Sequence, residues 1–324
     1  MTRMLTKKLI SAVVVCYGDE GNIRALYERL SKALAQISSH WEVIYVNDAS
    51  PDNAEAILQE LAAKDHHLTI INHSRNFGAQ AAFTSGMIQA KGDAVVLMDG
   101  DLQDPPELIE EFVKKWNEGY QVVYGVRRQR EESMGKFKQW LYHLFYVFFS
   151  KSAYIAIPQD AGEFSLMDRV VVDHMNALPE RDRFLRGLRA WVGYKSCGIP
   201  YVRPERYDGR QSVSTRGLIS AFRWARKAIF SFSYKPLEWV THVAILAVIV
   251  AMLGIFVYAV LFFFTAAPRG ISTVFILILF FAAIQLLTLA IMGEYIGRIF
   301  EEVKGRPRYI IRDIVNDHRL DSHR

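Results

Sequence analysis

The stretch VVLMDGDLQDPP, residues 95–106, is the most informative part of this sequence. Its first half is an apolar run suited to a buried strand, and the run ends in a polar cluster: Asp99, Gly100, Asp101, Gln103 and Asp104. Carboxylates this close raise one another's pKa and destabilise a fold unless a positive charge lies between them. They therefore either point into solvent as an ordinary turn or hold a cation.

Strand-like and helix-like segments alternate over residues 9–98. LISAVVVC, EVIYV and LTIIN have the pattern of strands, and helices are predicted over residues 22–36, 53–64 and 78–90. This order predicts a largely parallel, doubly wound α/β sheet, in which ligands bind beyond the carboxyl ends of the strands. Polar clusters follow four of the strands, at residues 17–20, 47–52, 75–78 and 99–104. We expect these loops to converge on one site.

No glycine-rich phosphate loop follows the first strand, which argues against dinucleotide-binding and P-loop chemistry. A nucleoside diphosphate would then need another neutralising group, and Mg²⁺ or Mn²⁺ held by carboxylates provides one. The Asp-Gly-Asp sequence suits such an ion, because one carboxylate can reach it while the other holds ribose or water, and Gly100 permits a tight turn. The histidines His66, His67 and His73 show no ligand spacing or convincing aspartate partner and are predicted to lie on the surface.

The hydrophobic content, 51% of 324 residues, is concentrated near the end of the chain. Residues 240–264 and 271–292 carry no charge, and each run exceeds the roughly 20 residues that cross a bilayer as a helix. The short link TAAPRG predicts a helical hairpin; the alternative is two buried helices of a soluble core. Basic residues on both outer flanks place the chain ends in the cytoplasm. No signal peptide is recognisable, and Cys16 and Cys197 suit a reducing compartment.

Two aromatic, basic segments, residues 137–152 and 216–237, have apolar residues at helical spacing. They are predicted to be amphipathic helices lying in the membrane interface, with ordinary core helices as the alternative. The basic tail could bind nucleic acid, but its position beside an apolar helix favours lipid. The predicted organisation is a nucleotide-sugar-binding core, an acceptor-side part with the interfacial helices, a transmembrane hairpin and a cytoplasmic basic tail. These parts cover residues 1–135, 136–236, 237–296 and 297–324.

Several motifs carry a resemblance to a known family: VVVCYGDEGNI, VNDASPDN, SRNFGAQAAFTSGM, MDGDLQDPPELI, GYQVVYGVRRQR and GEYIGRIFEEVKGRPRYII. The chain resembles family 2 glycosyltransferases of the polyprenyl-phosphate glycosyltransferase group, which includes dolichyl-phosphate mannose synthases, bactoprenol glucosyltransferases and the aminoarabinose transferase of lipid A modification. The resemblance implies a GT-A (Rossmann-like) fold, a Mg²⁺ or Mn²⁺ cofactor, a nucleotide-sugar donor and a lipid-phosphate acceptor. It also implies a homo-tetramer in the membrane.

The resemblance assigns roles to individual positions. It places Asp48 against the nucleotide base with Tyr17 and Asp19 beside it, and makes Asp99 and Asp101 the DxD pair. Gln103 joins these aspartates as a metal ligand. Glu163 would orient the acceptor or steady the oxocarbenium-like centre; the alternative is a surface or helix-capping acid. The remaining anion contacts implied are all arginines: Arg127, Arg128, Arg130, Arg183, Arg186, Arg206 and Arg210.

The chain departs from the family pattern at three places. The first motif has Gly18 and Asp19 where Asn-Glu is usual, and Ser165 and Ser212 replace an arginine and a lysine. Arg210 is the candidate replacement for the missing lysine. We expect these changes to bear on donor identity and turnover more than on reaction type.

The chemistry also follows from the acceptor. A lipid monophosphate has a second pKa of about 6, so it is already nucleophilic at neutral pH and a strong general base is optional. The expected reaction is an inverting transfer of one sugar, with UDP-glucose the favoured donor and UDP-N-acetylhexosamine, GDP-mannose or modified arabinose as alternatives. A non-catalytic membrane scaffold would lack the DxD pair, and a processive polysaccharide synthase would need a channel and a Gln-x-x-Arg-Trp motif.

Overall fold

The computed structural model describes residues 4–128, 161–202, 235–264 and 271–317. The described residues before 203 and from Pro307 onward belong to one compact unit, and those within Arg226–Arg306 belong to a second. The first unit is an α/β domain and the second is a pair of long helices.

In the described part of the first unit, eight strands form one sheet in the order β7-β5-β6-β4-β1-β2-β3-β8. The strands are β1 (Ile10–Cys16), β2 (Trp41–Asn47), β3 (Leu68–His73), β4 (Ala94–Asp99), β5 (Val122–Arg128), β6 (Ala161–Asp168), β7 (Ser196–Val202) and β8 (Ile311–Val315). The helices between them are α1 (Glu20–Ile37), α2 (Ala54–Ala62), α3 (Ala79–Gln89), α4 (Ile109–Asn117), α5 (Arg169–Ala177) and α6 (Leu185–Trp191).

The centre of the sheet confirms the predicted βαβα order. β1 lies parallel between β2 and β4, and β2 is parallel to β3. Every residue of β1 is buried, which explains why its sequence is apolar at every position except Ser11 rather than alternating. α3 packs closely on this strand at Gly86: a side chain there would place its Cβ only 2.2 Å from Val13 Cγ1.

The sheet is less parallel than the sequence predicted. β6 is antiparallel to both β4 and β5, and β8 is antiparallel to β3 at one edge. β8 lies within residues 297–324, the segment predicted to be a cytoplasmic basic tail, and the strand itself was not predicted. The physical reason is that β3 would otherwise present an unpaired edge, and β8, with the sequence IRDIV, covers it.

The second unit contains the two apolar helices, α7 (Lys235–Phe264) and α8 (Ile271–Val303). By length and composition, the windows Leu237–Gly254 and Phe280–Val303 are apolar enough to cross a membrane. Large apolar side chains on both helices are exposed, among them Phe256 at 67% and Leu286 at 68%. This exposure argues against the alternative of two helices buried in a soluble core.

Candidate active site

The loops that follow the parallel strands meet at one edge of the sheet, as predicted. The β1 loop joins the β2 loop through Gly18, whose N–H donates to Ser50 Oγ at 2.7 Å. The β4 loop joins β1 through Gly100, whose N–H donates to the Val15 carbonyl at 2.9 Å. The β2 loop joins the β3 loop through Asp48, described below. These hydrogen bonds make one connected surface from four separate segments of sequence.

The Asp-Gly-Asp loop is shaped by two unusual positions. A Cβ on Gly100 would lie 2.7 Å from the Val15 carbonyl oxygen, so glycine is required here by close approach to β1. Leu102 has a φ of 59°, a left-handed conformation that is strained for a branched side chain, and its side chain is buried in the core. With Leu102 anchored inward, Asp101 and Gln103 remain partly exposed on either side of it. Asp101 Oδ1 accepts a hydrogen bond from the Gln103 N–H at 3.1 Å.

The donor set of this loop fits Mg²⁺ or Mn²⁺, because carboxylate and amide oxygens are the hard ligands these ions prefer. Asp99, Asp101 and Gln103 are the residues that would hold the ion, and all three are partly exposed at the sheet edge. Within the described part of the chain, no group of three or more His, Cys, Asp or Glu side chains is placed to enclose a metal by itself. An ion here would therefore need oxygens from a ligand, as Mg²⁺ bound to phosphates usually does.

Asp104 is a site residue whose role sequence reasoning missed. It is fully buried, and its Oδ1 accepts a 2.6 Å hydrogen bond from the Tyr201 hydroxyl on β7. Its Oδ2 is buried without a hydrogen-bond partner among the described residues. Burial lowers the pKa of Arg127, but the carboxylates of Asp104 and Asp99 and the Tyr201 hydroxyl outweigh it, so the net shift is upward. Arg127 is therefore a firmly held cation beside the acidic loop.

Asp48 is buried rather than open to solvent. Its Oδ1 accepts from the Phe77 N–H at 2.9 Å and from His73 Nδ1 at 2.8 Å, and its Oδ2 accepts from the Gly78 N–H at 2.7 Å. The carboxylate thus fixes the start of α3. The predicted surface position of His73 is wrong: its side chain is 0% exposed, held by Asp48 and by Ser85 Oγ at 2.9 Å. An aspartate partner 25 residues away leaves no local pattern, so spacing could not reveal it.

Tyr17 and Asp19 lie in the β1 loop next to the Gly18–Ser50 contact. The Tyr17 side chain is exposed at 44%, whereas Asp19 is 7% exposed and its Oδ2 accepts from the Tyr17 N–H at 3.2 Å. The structure thus leaves the Tyr17 ring available at the edge of the sheet and directs Asp19 inward.

Glu163, on β6, is buried and paired with a cation. Its Oε1 accepts from Arg186 Nε at 2.9 Å and from Gln80 Nε2 at 3.0 Å. Gln80 Oε1 in turn accepts from the Leu185 N–H at 2.7 Å, so one side chain of α3 connects β6 to the first residue of α6. The alternative of a surface acid is excluded by this burial. Gln80 is a second participant that sequence analysis did not identify.

The arginines of the α6 region are less exposed than anion contacts usually are. Arg183 is 3% exposed; burial, and then the nearby charge of Arg308, lower the pKa of Arg183 to about 10. Its Nη2 donates to the Met175 carbonyl, while its Nε and Nη1 have no hydrogen-bond partner among the described residues. Arg186 is more accessible, with 21% of its side chain exposed. Arg128 ends β5, and the structure describes only its backbone.

Other predicted residues fall outside the described part of the chain: Arg130, Arg206, Arg210 and Ser212. The interfacial segments 137–152 and 216–237 lie outside it as well, except for the last residues of the second, which begin α7. Their predicted roles remain predictions.

Comparison with known proteins gives the family. Residues 11–175 match the family model described as Glycosyl transferase family 2. The chain belongs to this family. It is 42% identical over 303 residues to the uncharacterised glycosyltransferase YkcC of Bacillus subtilis, covering 93% of each chain. It is 34% identical over 304 residues to the SfII prophage-derived bactoprenol glucosyl transferase of Shigella flexneri, covering 94% of this chain and 97% of the relative.

A solved mannosyltransferase from Pyrobaculum calidifontis, in complex with GDP-mannose and Mn²⁺, matches 98% of this chain and 79% of its own at 16% identity. The TM-score of 0.46 is too low to add to the assignment. The family match and the named relatives confirm the predicted membership of family 2 and agree with the polyprenyl-phosphate group. The predicted GT-A fold is confirmed, and the protein is a glycosyltransferase.

Proposed function

We propose that this glycosyltransferase transfers a single sugar, with inversion, from a nucleotide sugar to undecaprenyl or another polyprenyl phosphate at the cytoplasmic face of a membrane. UDP-glucose is the proposed donor. The observation that carries the proposal is the partly exposed set of Asp99, Asp101 and Gln103 at the carboxyl end of the sheet. It occurs in a family 2 chain that relatives named bactoprenol glucosyl transferase match over almost its whole length.

The proposed cofactor is Mg²⁺ or Mn²⁺, held by these three side chains. When bound, the ion supplies positive charge to the diphosphate that leaves from the sugar. Arg127 adds a second positive charge beside the same loop, and Tyr201 and Asp104 hold that arginine in place. Stabilising the leaving group is the main role of the site, because a dianionic lipid phosphate is nucleophilic without a strong base.

The acceptor side is proposed to lie near Glu163, with Arg186 as the anion contact that remains accessible. Because Glu163 already accepts hydrogen bonds from Arg186 and Gln80, it is placed to orient Arg186 rather than to exchange protons. Among the other arginines predicted to bind phosphate, Arg183 is buried, and an anion would need a channel to reach its Nε and Nη1, which have no hydrogen-bond partner among the described residues.

The two apolar helices are proposed to span the membrane as a hairpin, with the catalytic domain and the basic tail in the cytoplasm and the TAAPRG link outside. Their length, composition and exposed apolar side chains support this arrangement. A homo-tetramer, implied by the family resemblance, completes the proposal.

The decisive experiment incubates the full chain, in lipid nanodiscs with undecaprenyl phosphate, with a panel of labelled nucleotide sugars and MnCl₂ or MgCl₂. Thin-layer chromatography of the lipid fraction separates the possible outcomes. One sugar on the lipid from UDP-glucose supports the proposal, and label only from another donor corrects the sugar. A polymer or an unlabelled lipid with every donor would contradict it and favour a processive synthase or a scaffold, respectively.

A further inference from the structure

The C-terminal segment, residues 307–317, is joined to the β3 loop by side chains as well as by the sheet. Tyr309 stacks on the His73 ring with centroids 5.3 Å apart and planes 9° apart, and the Ser74 N–H donates to the Ile310 carbonyl at 3.0 Å. These contacts lie immediately beside the strand pairing of β8 with β3. The segment therefore covers the end of β3 at the edge where the site loops meet.

His73 transmits this contact to Asp48. Its Nδ1 donates to the buried Asp48 carboxylate, which accepts the Phe77 and Gly78 N–H groups at the start of α3. Phe77 also lies edge-on to His73, with centroids 5.7 Å apart. The ring of His73 is thus enclosed by Tyr309 on one face and by Phe77 at its edge. Removing Tyr309 would open one side of a fully buried imidazole and loosen the grip on Asp48.

A second chain of hydrogen bonds runs in parallel with the first. Asn72 Nδ2 donates to Asp313 Oδ2 at 2.6 Å, and Asn47 Nδ2 donates to Asn72 Oδ1 at 3.0 Å. Asn47 is the last residue of β2, and its Oδ1 accepts from the Ser50 N–H at 2.9 Å. The C-terminal segment thus reaches the residues on both sides of Asp48.

From these two connections we infer that the C-terminal segment supports the donor site. Tyr309 and Asp313 are positioning residues that hold the Asp48 loop in the conformation that binds the nucleoside of the donor. The inference rests on the proposed function, since it assigns a nucleoside to this edge of the sheet. Neither residue is among the proposed metal or phosphate contacts. Both act through His73 or Asn72, and the expected consequence of their loss is weaker donor binding rather than slower chemistry.

The test compares three variants of the full chain in nanodiscs. Tyr309→Ala removes the stacked ring and Tyr309→Phe keeps it. Ile310→Ala is the matched control in the same segment, because Ile310 is 53% exposed and is joined to the β3 loop through its main-chain carbonyl, which alanine keeps. Hydrogen–deuterium exchange of the peptide covering residues 74–80 measures the local stability of this loop directly, without any ligand. Dissociation constants for UDP with MnCl₂ measure nucleotide binding, and KM and kcat for the donor separate donor binding from turnover.

For Tyr309→Ala we expect exchange of this peptide to be faster, and the UDP dissociation constant and donor KM to rise, each by about tenfold, with kcat little changed. Tyr309→Phe and Ile310→Ala should both match the wild type. Unchanged exchange in Tyr309→Ala, or equal weakening in Ile310→Ala, would overturn the inference. If Tyr309→Ala does not fold, Tyr309→Leu gives the same comparison. A further outcome is that the wild type binds no UDP although exchange of residues 74–80 is faster in Tyr309→Ala than in the wild type. That result would contradict the nucleotide assignment alone and leave the positioning role of Tyr309 intact.

Discussion

The hydroxyl of Tyr201 donates a 2.6 Å hydrogen bond to Asp104, although the two residues are 97 positions apart in the sequence. Asp104 closes the loop that begins at Asp99, and Tyr201 lies on β7, at the edge of the sheet beyond β5 and β6. A Cβ on Gly125 would lie 2.6 Å from the Tyr201 ring, so the glycine on the neighbouring strand β5 leaves the space that this ring occupies. The acidic loop is therefore held from the far side of the sheet.

Tyr201→Phe tests this relationship by removing one oxygen atom and leaving the ring in place. It leaves the buried Asp104 carboxylate without its hydroxyl donor, and a hydrogen bond to a charged group contributes about 1.5–3 kcal/mol. We expect unfolding stability to fall by that amount and turnover to fall with it, because the loop of Asp99 and Asp101 loses its support. Urea unfolding and initial rates check both effects. Tyr194→Phe, a tyrosine outside this cluster, is the control; an effect of equal size there would argue against a specific role for Tyr201.

The metal assignment predicts that Asp101→Asn lowers turnover by several orders of magnitude with little change in stability. The substitution keeps the size of the side chain and removes the charge that holds a divalent cation. EDTA should abolish transfer to lipid, and added Mn²⁺ or Mg²⁺ should restore it. Lipid-transfer assays with and without chelator provide the measurement, and full activity in excess EDTA would contradict the proposed site.

The partly buried pair of Glu163 and Arg186 predicts coupling between the two positions. Arg186→Met leaves the buried Glu163 carboxylate with Gln80 as its one hydrogen-bond donor among the described residues, and a hydrogen bond to a charged group contributes about 1.5–3 kcal/mol. Glu163→Gln combined with Arg186→Met should cost less than the sum of the two single changes, because each single change already removes the same ion pair. A double-mutant cycle by urea unfolding measures the coupling. Strictly additive effects would indicate that the pair is not formed in solution.

The membrane arrangement predicts opposite accessibility for two engineered cysteines. In a Cys197→Ser background, Ala266→Cys in the TAAPRG link should react with a membrane-impermeant maleimide from outside intact cells. Arg319→Cys in the tail should react only after the membrane is permeabilised, because the positive-inside rule keeps the basic flanks in the cytoplasm. Reaction of both cysteines under the same condition would refute the hairpin.

Local patterns in the sequence were sufficient for the centre of the domain. The sequence of Ile10–Cys16 predicted a buried strand, and every residue of β1 is in fact buried. The Asp99 cluster predicted a site because charged side chains at a strand end require a ligand or solvent. The contacts that sequence analysis missed are those between distant segments. The contact of His73 with Asp48 left no pattern in the sequence because the two residues are 25 positions apart, at the ends of different strands. The contact of Tyr201 with Asp104 left none because they are 97 positions apart. The role of β8 was missed because the apolar helices separate it from the rest of the domain.

The pairing of β8 with β3 also constrains how the protein is made. Thr69 Oγ1 donates to the Asn316 carbonyl oxygen across 247 residues of sequence, so the catalytic sheet contains contacts of very high sequence separation. Synthesis proceeds from the N-terminus, and the last strand leaves the ribosome only after both apolar helices have been made. Until then β3 has an open edge that could pair with other chains. Completion of the catalytic domain therefore waits for the membrane segment, and a nascent chain stopped before Ile311 would carry an unprotected strand.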